Sequence, residues 1–133
     1  MLTFLHPNLK LRTDEGWVAI KDYKQGNILC INEEKKLYWS KPKGTSKYPF
    51  YYGPMNKLSW VSGEIHLKPS TLCLTPDNLS SSPKELYSIV SKNMDVELSS
   101  YTYGDSLYSV DFDESHLICV LFHKDYIFIK NGM

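Results

Sequence analysis

The chain has 133 residues with 15 basic and 15 acidic side chains, and it is 42% hydrophobic and 14% aromatic. That length predicts one domain spanning residues 1–133, able to bury roughly two-thirds of its unfolded surface without a disulfide or metal to hold it together. The composition excludes a disordered chain, and a formal net charge of zero excludes a strong global field for nucleic acid.

In chain order, Leu2 to Leu5 reads as a short edge strand ended by the turn residues His6-Pro7-Asn8. Asp14-Glu15-Gly16 is a second turn. Trp17 to Lys21, Asn27 to Asn32 and Lys36 to Ser40 follow as three closely spaced strands, a β-meander with turns at 23–26 and Glu33-Glu34. Residues 41–56, with three Pro and two Gly, are expected to be irregular. A loop that long in a compact domain is more often functional than not. Leu58 to Ser62 and Glu64 to Lys68 read as strands about a Ser62-Gly63 turn, and Leu72 to Thr75 as a short strand.

One helix is expected from about 82 to 94. Ser82-Pro83-Lys84-Glu85 combines a Ser N-cap, Pro at the first helical position and a Glu placed to close a capping box. Leu86, Ile89, Val90 and Met94 then form one apolar stripe. Val96 to Tyr103 alternates as a strand, and Gly104-Asp105 reads as a hairpin turn. The C-terminal stretch, Ser106 to Lys130, holds three strands. Its middle strand, with Ile118, Val120 and Phe122 on one side and Leu117, Cys119 and Leu121 on the other, is expected to be buried on both faces.

Gly16-Trp17, Gly26, Ile31-Asn32, Trp39 and Pro42 stand at a spacing that resembles a WW domain over residues 16–42. The resemblance implies a three-stranded meander that lays a proline-rich peptide across the second Trp and a Tyr. The pattern departs where that groove would form: Leu29-Cys30 stands where an aromatic pair is expected, and Glu33 where a His is expected.

Chemistry-bearing patterns are sparse. Cys30, Cys73 and Cys119 are odd in number and each lies in an apolar run, which points to buried free thiols and a reducing, cytoplasmic compartment. No stretch approaches the ~18 apolar residues of a membrane span, and the N-terminal apolar run is too short for a signal peptide. His6, His66, His116 and His123 show no metal-ligand spacing, so no metal or cofactor is expected. Asp111 and Asp113 share one side of an extended segment, an arrangement that suits either a metal site or an ordinary polar turn. No nucleophile–base pair and no phosphate loop is present, so nothing marks a catalytic apparatus.

Two surfaces remain as binding candidates. Residues 1–76 carry 11 basic against 6 acidic side chains, whereas residues 77–115 carry 2 against 8. The acidic candidate comprises Asp95, Glu97, Asp105, Asp111, Asp113 and Glu114. The aromatic and basic candidate comprises Trp39, Lys41, Lys43, Lys47, Tyr48, Tyr51 and Tyr52. Lysines with interleaved aromatics can bind single-stranded nucleic acid, and aromatics equally suit a protein interface. The absence of Arg there argues against reading bases.

The expected fold is α+β: an antiparallel, meander-rich sheet, open or partly closed into a barrel, with one helix packed on it. The expected function is a cytoplasmic, non-catalytic protein that blocks a partner's surface, of the kind represented by toxin-neutralising immunity proteins and phage or viral inhibitors. A basic toxin or nuclease suits the acidic segment. A single-stranded nucleic-acid-binding module using residues 35–52 is the alternative.

Overall fold

The computed structural model of the protein describes residues 2–76, 80–113 and 117–131. The loop residues Asn78 and Leu79 and the turn residues Glu114, Ser115 and His116 lie outside the described residues. In chain order the strands are β1 (Leu2–Leu5), β2 (Lys10–Thr13), β3 (Gly16–Ala19), β4 (Ile28–Ile31), β5 (Leu37–Ser40), β6 (Gly44–Ser46) and β7 (Phe50–Trp60). After them come β8 (Gly63–Leu67), β9 (Thr71–Cys73), the helix α1 (Pro83–Val90), β10 (Glu97–Ser106), β11 (Tyr108–Asp111), β12 (Leu117–Phe122) and β13 (Asp125–Asn131).

Among the described residues the strands form three sheets that do not close into a barrel. The largest has the order β3-β2-β4-β12-β13-β9, with β5 paired to β4. A second is β10-β7-β8 and a third β1-β11-β6. Every pairing between these strands is antiparallel. A sheet-rich α+β architecture is what the composition and alternation predict.

β12 occupies the middle of the largest sheet. Ile118, Val120 and Phe122 enter the main core with Leu11, Ile28, Cys30, Leu58, Ile65, Phe112 and Ile129. On the other face Cys119 joins Ile31 and Phe128, covered by Trp17, Leu29, Leu74 and Leu117. An apolar residue at almost every position of β12 is therefore a direct consequence of burial on two sides.

The helix starts as expected. Ser82 Oγ accepts from the Glu85 N–H at 3.2 Å, and the Glu85 carboxylate accepts from the Ser82 N–H at 3.1 Å. Its end is earlier than expected, at Val90 rather than near 94. Ser91, Lys92 and Asn93 offer no apolar side chain to continue the stripe, and the Ser91 hydroxyl donates back to the Ser88 carbonyl. Turn bonds from Asn93 and Met94 to the Val90 carbonyl still deliver Met94 onto the core.

Three expectations need correction. The meander at 17–40 is interrupted: β2 lies between β3 and β4, so the WW-like strand order is not formed. Residues 41–56 are not irregular, because β6 and much of β7 lie within them. Gly104-Asp105 is not a turn but part of β10. β7 and β10 pair over ten positions, from Ser59 opposite Glu97 to Phe50 opposite Ser106. That many ladder bonds override the local preferences of Gly53, Pro54 and Gly104. Pro54 is tolerated because β8 pairs with β7 only from Asn56 onwards, leaving the far side of Pro54 without a strand among the described residues.

Candidate functional site

Beyond β8 the β7–β10 pair continues as a two-stranded ribbon of residues 50–55 and 101–106, which leads into the β6–β11 pair of the third sheet. Alternation splits its side chains between two faces. Phe50 and Tyr52 point outward and are 66% and 77% exposed, and Tyr48, just before the strand, is 71% exposed. Tyr51 and Tyr103 lie on the inward face, half-buried, with ring centroids 6.4 Å apart. The Tyr51 hydroxyl donates to the Pro54 carbonyl at 2.8 Å, and the Lys68 ammonium sits 5.0 Å from its ring centroid. A Cβ on Gly53 would stand 2.8 Å from the Tyr51 hydroxyl, so glycine is what lets that ring fold back. Gly104 plays the same part for Tyr52: a Cβ there would meet its ring at 3.2 Å.

The other sequence-derived candidates are distributed. Trp39 is 46% exposed on β5, in a different sheet from the ribbon. Lys41, Lys43 and Lys47 are exposed around β6. Lys43 pairs with Asp113 at 3.1 Å, and its ammonium pKa is raised by that hydrogen bond and charge. The basic loop and the acidic segment therefore meet, because β6 pairs with β11 and sets Gly44 opposite Asp111. Asp95 and Glu97 are exposed and line a shallow hollow with Ser59, Trp60 and Val61. Asp105 is eight residues further along β10, about 26 Å at ~3.3 Å per residue, so it does not join them in one patch. Its carboxylate accepts from the Ser106 N–H at 2.7 Å.

A second cluster escaped sequence reasoning. His6 and His66 stack with ring centroids 4.4 Å apart and planes 15° from parallel. Both His66 nitrogens are engaged: Nδ1 with the Tyr101 hydroxyl at 2.6 Å, and Nε2 with the Glu64 carboxylate. Tyr103 meets the edge of His6. Burial, reinforced by the neighbouring His66, lowers the His6 pKa from 6.5 to about 4. The only local hint was Glu64-x-His66, two residues on one face of a strand. His6 and Tyr101 come from distant parts of the chain.

The three cysteines are free and buried. Burial pushes each thiol up to about 12, so none is a thiolate at neutral pH. No group of three metal-ligating side chains occurs among the described residues. No helix among them is long and apolar enough to cross a membrane.

No protein-family model matches the chain, and no curated protein matches it. Among solved structures it is similar to the AceL NrdHF class 3 split intein, described as a glutathione-linked, splice-inactive variant with a cysteine and an asparagine replaced by alanine. The TM-score is 0.60, the identity 8%, and the likeness covers 98% of each chain. At that identity the two proteins share a fold.

Proposed function

We propose that this chain is a small protein-binding domain that acts by covering a partner protein's surface with the exposed aromatic face of the β7–β10 ribbon. The exposure of Tyr48, Phe50 and Tyr52 carries this reading. These rings combine large apolar area with few rotatable bonds, the chemistry of interface anchors. The ribbon edge beyond β8 adds backbone groups that a partner strand can pair with. Asp105, exposed on the ribbon, suits a basic partner, as an immunity protein or inhibitor of a nuclease-type toxin would need. The Lys43–Asp113 pair reduces the free positive charge of residues 41–47 and so favours this reading over nucleic-acid binding. The test compares proteins captured from the native host by the wild type and by a Phe50→Ser/Tyr52→Ser variant. A partner retained by the wild type and lost by the variant, with unchanged thermal unfolding, supports the reading. A partner held equally by both refutes it.

A second reading rests on the full-length likeness to the split intein, namely that this chain processes its own peptide bonds. The two alanine substitutions in that variant lie twenty-two positions apart. Ser109 and Asn131 stand at the same separation here. Ser109 is buried on β11, its hydroxyl donating to the Ser46 carbonyl at 3.4 Å. Placing the chain between two reporter proteins tests this. A ligated or cleaved product that disappears in Ser109→Ala and Asn131→Ala variants supports it, and an intact fusion refutes it.

A further inference from the structure

Beside the His6–His66 stack lies an open cleft of about 250 Å³. Its walls come from three places: the β1–β2 loop, the start of β8 with Trp60 before it, and the β12–β13 turn. Leu9, Ile65 and Leu121 supply its apolar surface, and Trp60, His6 and His123 its flat rings. The indole is fixed from behind, edge-on to Phe122 at 5.1 Å and to His123 at 5.7 Å. A Cβ on Gly63 would stand 3.2 Å from the indole, so the absent side chain is what allows the ring to lie against the β8 backbone.

The polar groups at this cleft are unevenly committed. His66 has no free nitrogen, and its Nε2 engages one oxygen of the Glu64 carboxylate. His6 differs: its Nδ1 accepts the Asn8 N–H at 3.1 Å, which places its own proton on Nε2. That Nε2–H has no acceptor among the hydrogen bonds of the described residues. Lys10, also at the cleft, is exposed and joins no ion pair among the described residues. The groups not committed among the described residues thus include a neutral N–H donor and an ammonium, together with the neutral Asn8 amide and Ser62 hydroxyl, beside an apolar and aromatic wall.

We propose that this cleft binds a small aromatic carboxylate, its ring against Trp60 and its carboxylate answered by Lys10 and the His6 Nε2–H. A neutral aromatic would leave the Lys10 charge unused. The volume holds one ring and a short acid side chain, well below the size of a dinucleotide. For a ligand of about ten heavy atoms, a Kd of about 1 mM is expected.

The test titrates the full chain at pH 7.5 with phenylacetate, phenylacetamide and 2-phenylethylamine, followed by amide chemical shifts. Phenylacetate is expected to give saturable shifts at Lys10 and at Gly63 to His66. The Lys10→Met variant keeps the aliphatic stem and is expected to bind about five- to tenfold more weakly. Because Lys10 is exposed, its spectrum serves as its own check on folding. The inference is overturned if no saturation occurs by about 20 mM, or if the amide or amine binds as tightly as the acid. Unchanged affinity in Lys10→Met overturns it as well. Tyr101 and Tyr103 of the ribbon touch His66 and His6, but Phe50 and Tyr52 do not line this cleft, so either result leaves the protein-binding reading standing or falling on its own test.

Discussion

Replacing His6 with Phe isolates the pH dependence built into the stacked pair. The folded protein holds His6 at a pKa of about 4 against 6.5 for a free imidazole. Between those values the unfolded chain binds a proton that the folded chain refuses. Stability is therefore full above about pH 6.5, falls as pH drops through that window, and reaches its lowest contribution below about 4. At 1.36 kcal/mol per pH unit the difference amounts to about 3 kcal/mol for a fully sequestered ring. His6 is only half-buried, and solvent screening brings the expected loss to about 1–2 kcal/mol. The surroundings fit the sign: burial dominates, His66 and Lys21 act with it, and Glu64 opposes. Phe keeps a ring against His66 and Tyr103 but cannot titrate. Urea unfolding of both proteins from pH 4 to 8 separates this contribution from the carboxylates, whose titration both share. The wild type is expected to lose about 1–2 kcal/mol more than His6→Phe between pH 7 and 4. Parallel pH profiles would refute the reasoning.

Three further outcomes follow from local structure. Ser82→Ala removes one half of the capping box and is expected to cost about 1 kcal/mol, read as a lower urea midpoint. Leu58→Ala, at a fully buried position of β7, is expected to cost about 3–4 kcal/mol, and Val61→Ser, at the exposed tip of the next turn, within about 0.5 kcal/mol. A thiol reagent at pH 8 is expected to label none of the three cysteines in the folded protein and all three in denaturant. Labelling of the native chain at the rate of a free thiol would contradict the placement of these residues.

What could be read without coordinates was local. Ser82, Pro83 and Glu85 announce a helix start because a cap is a contact among residues three apart. β12 was legible because a strand buried on both faces must be apolar on both faces. The cysteines were legible because their apolar neighbours travel with them. The ribbon was not. Residues 50–55 include Gly53 and Pro54, which favour turns, and the ladder with Glu97–Ser106 holds them in a strand. Gly104 misled for a similar reason: its role is to make room for the Tyr52 ring, a contact across two strands.

The candidate sites divide along the same line. The aromatic candidates were visible as residue types, yet their exposure was not. Strand alternation turns Phe50 and Tyr52 outward and Tyr51 inward, and only the register with β10 says which face is which. The acidic segment read as one patch because its residues are near in sequence. An extended β10 separates Asp105 from Glu97, and the β6–β11 pairing brings Lys43 to Asp113. The His6–His66–Tyr101–Glu64 cluster joins the β1–β2 loop, β8 and β10 through side chains whose sequence separations carry no periodic signal. The sequence by itself therefore determined the fold class, the helix start, the central strand and the fate of the thiols. Tertiary structure decided the strand order, the ribbon and the cleft, because long-range pairing free energy outweighs the ~1 kcal/mol preferences that local sequence expresses.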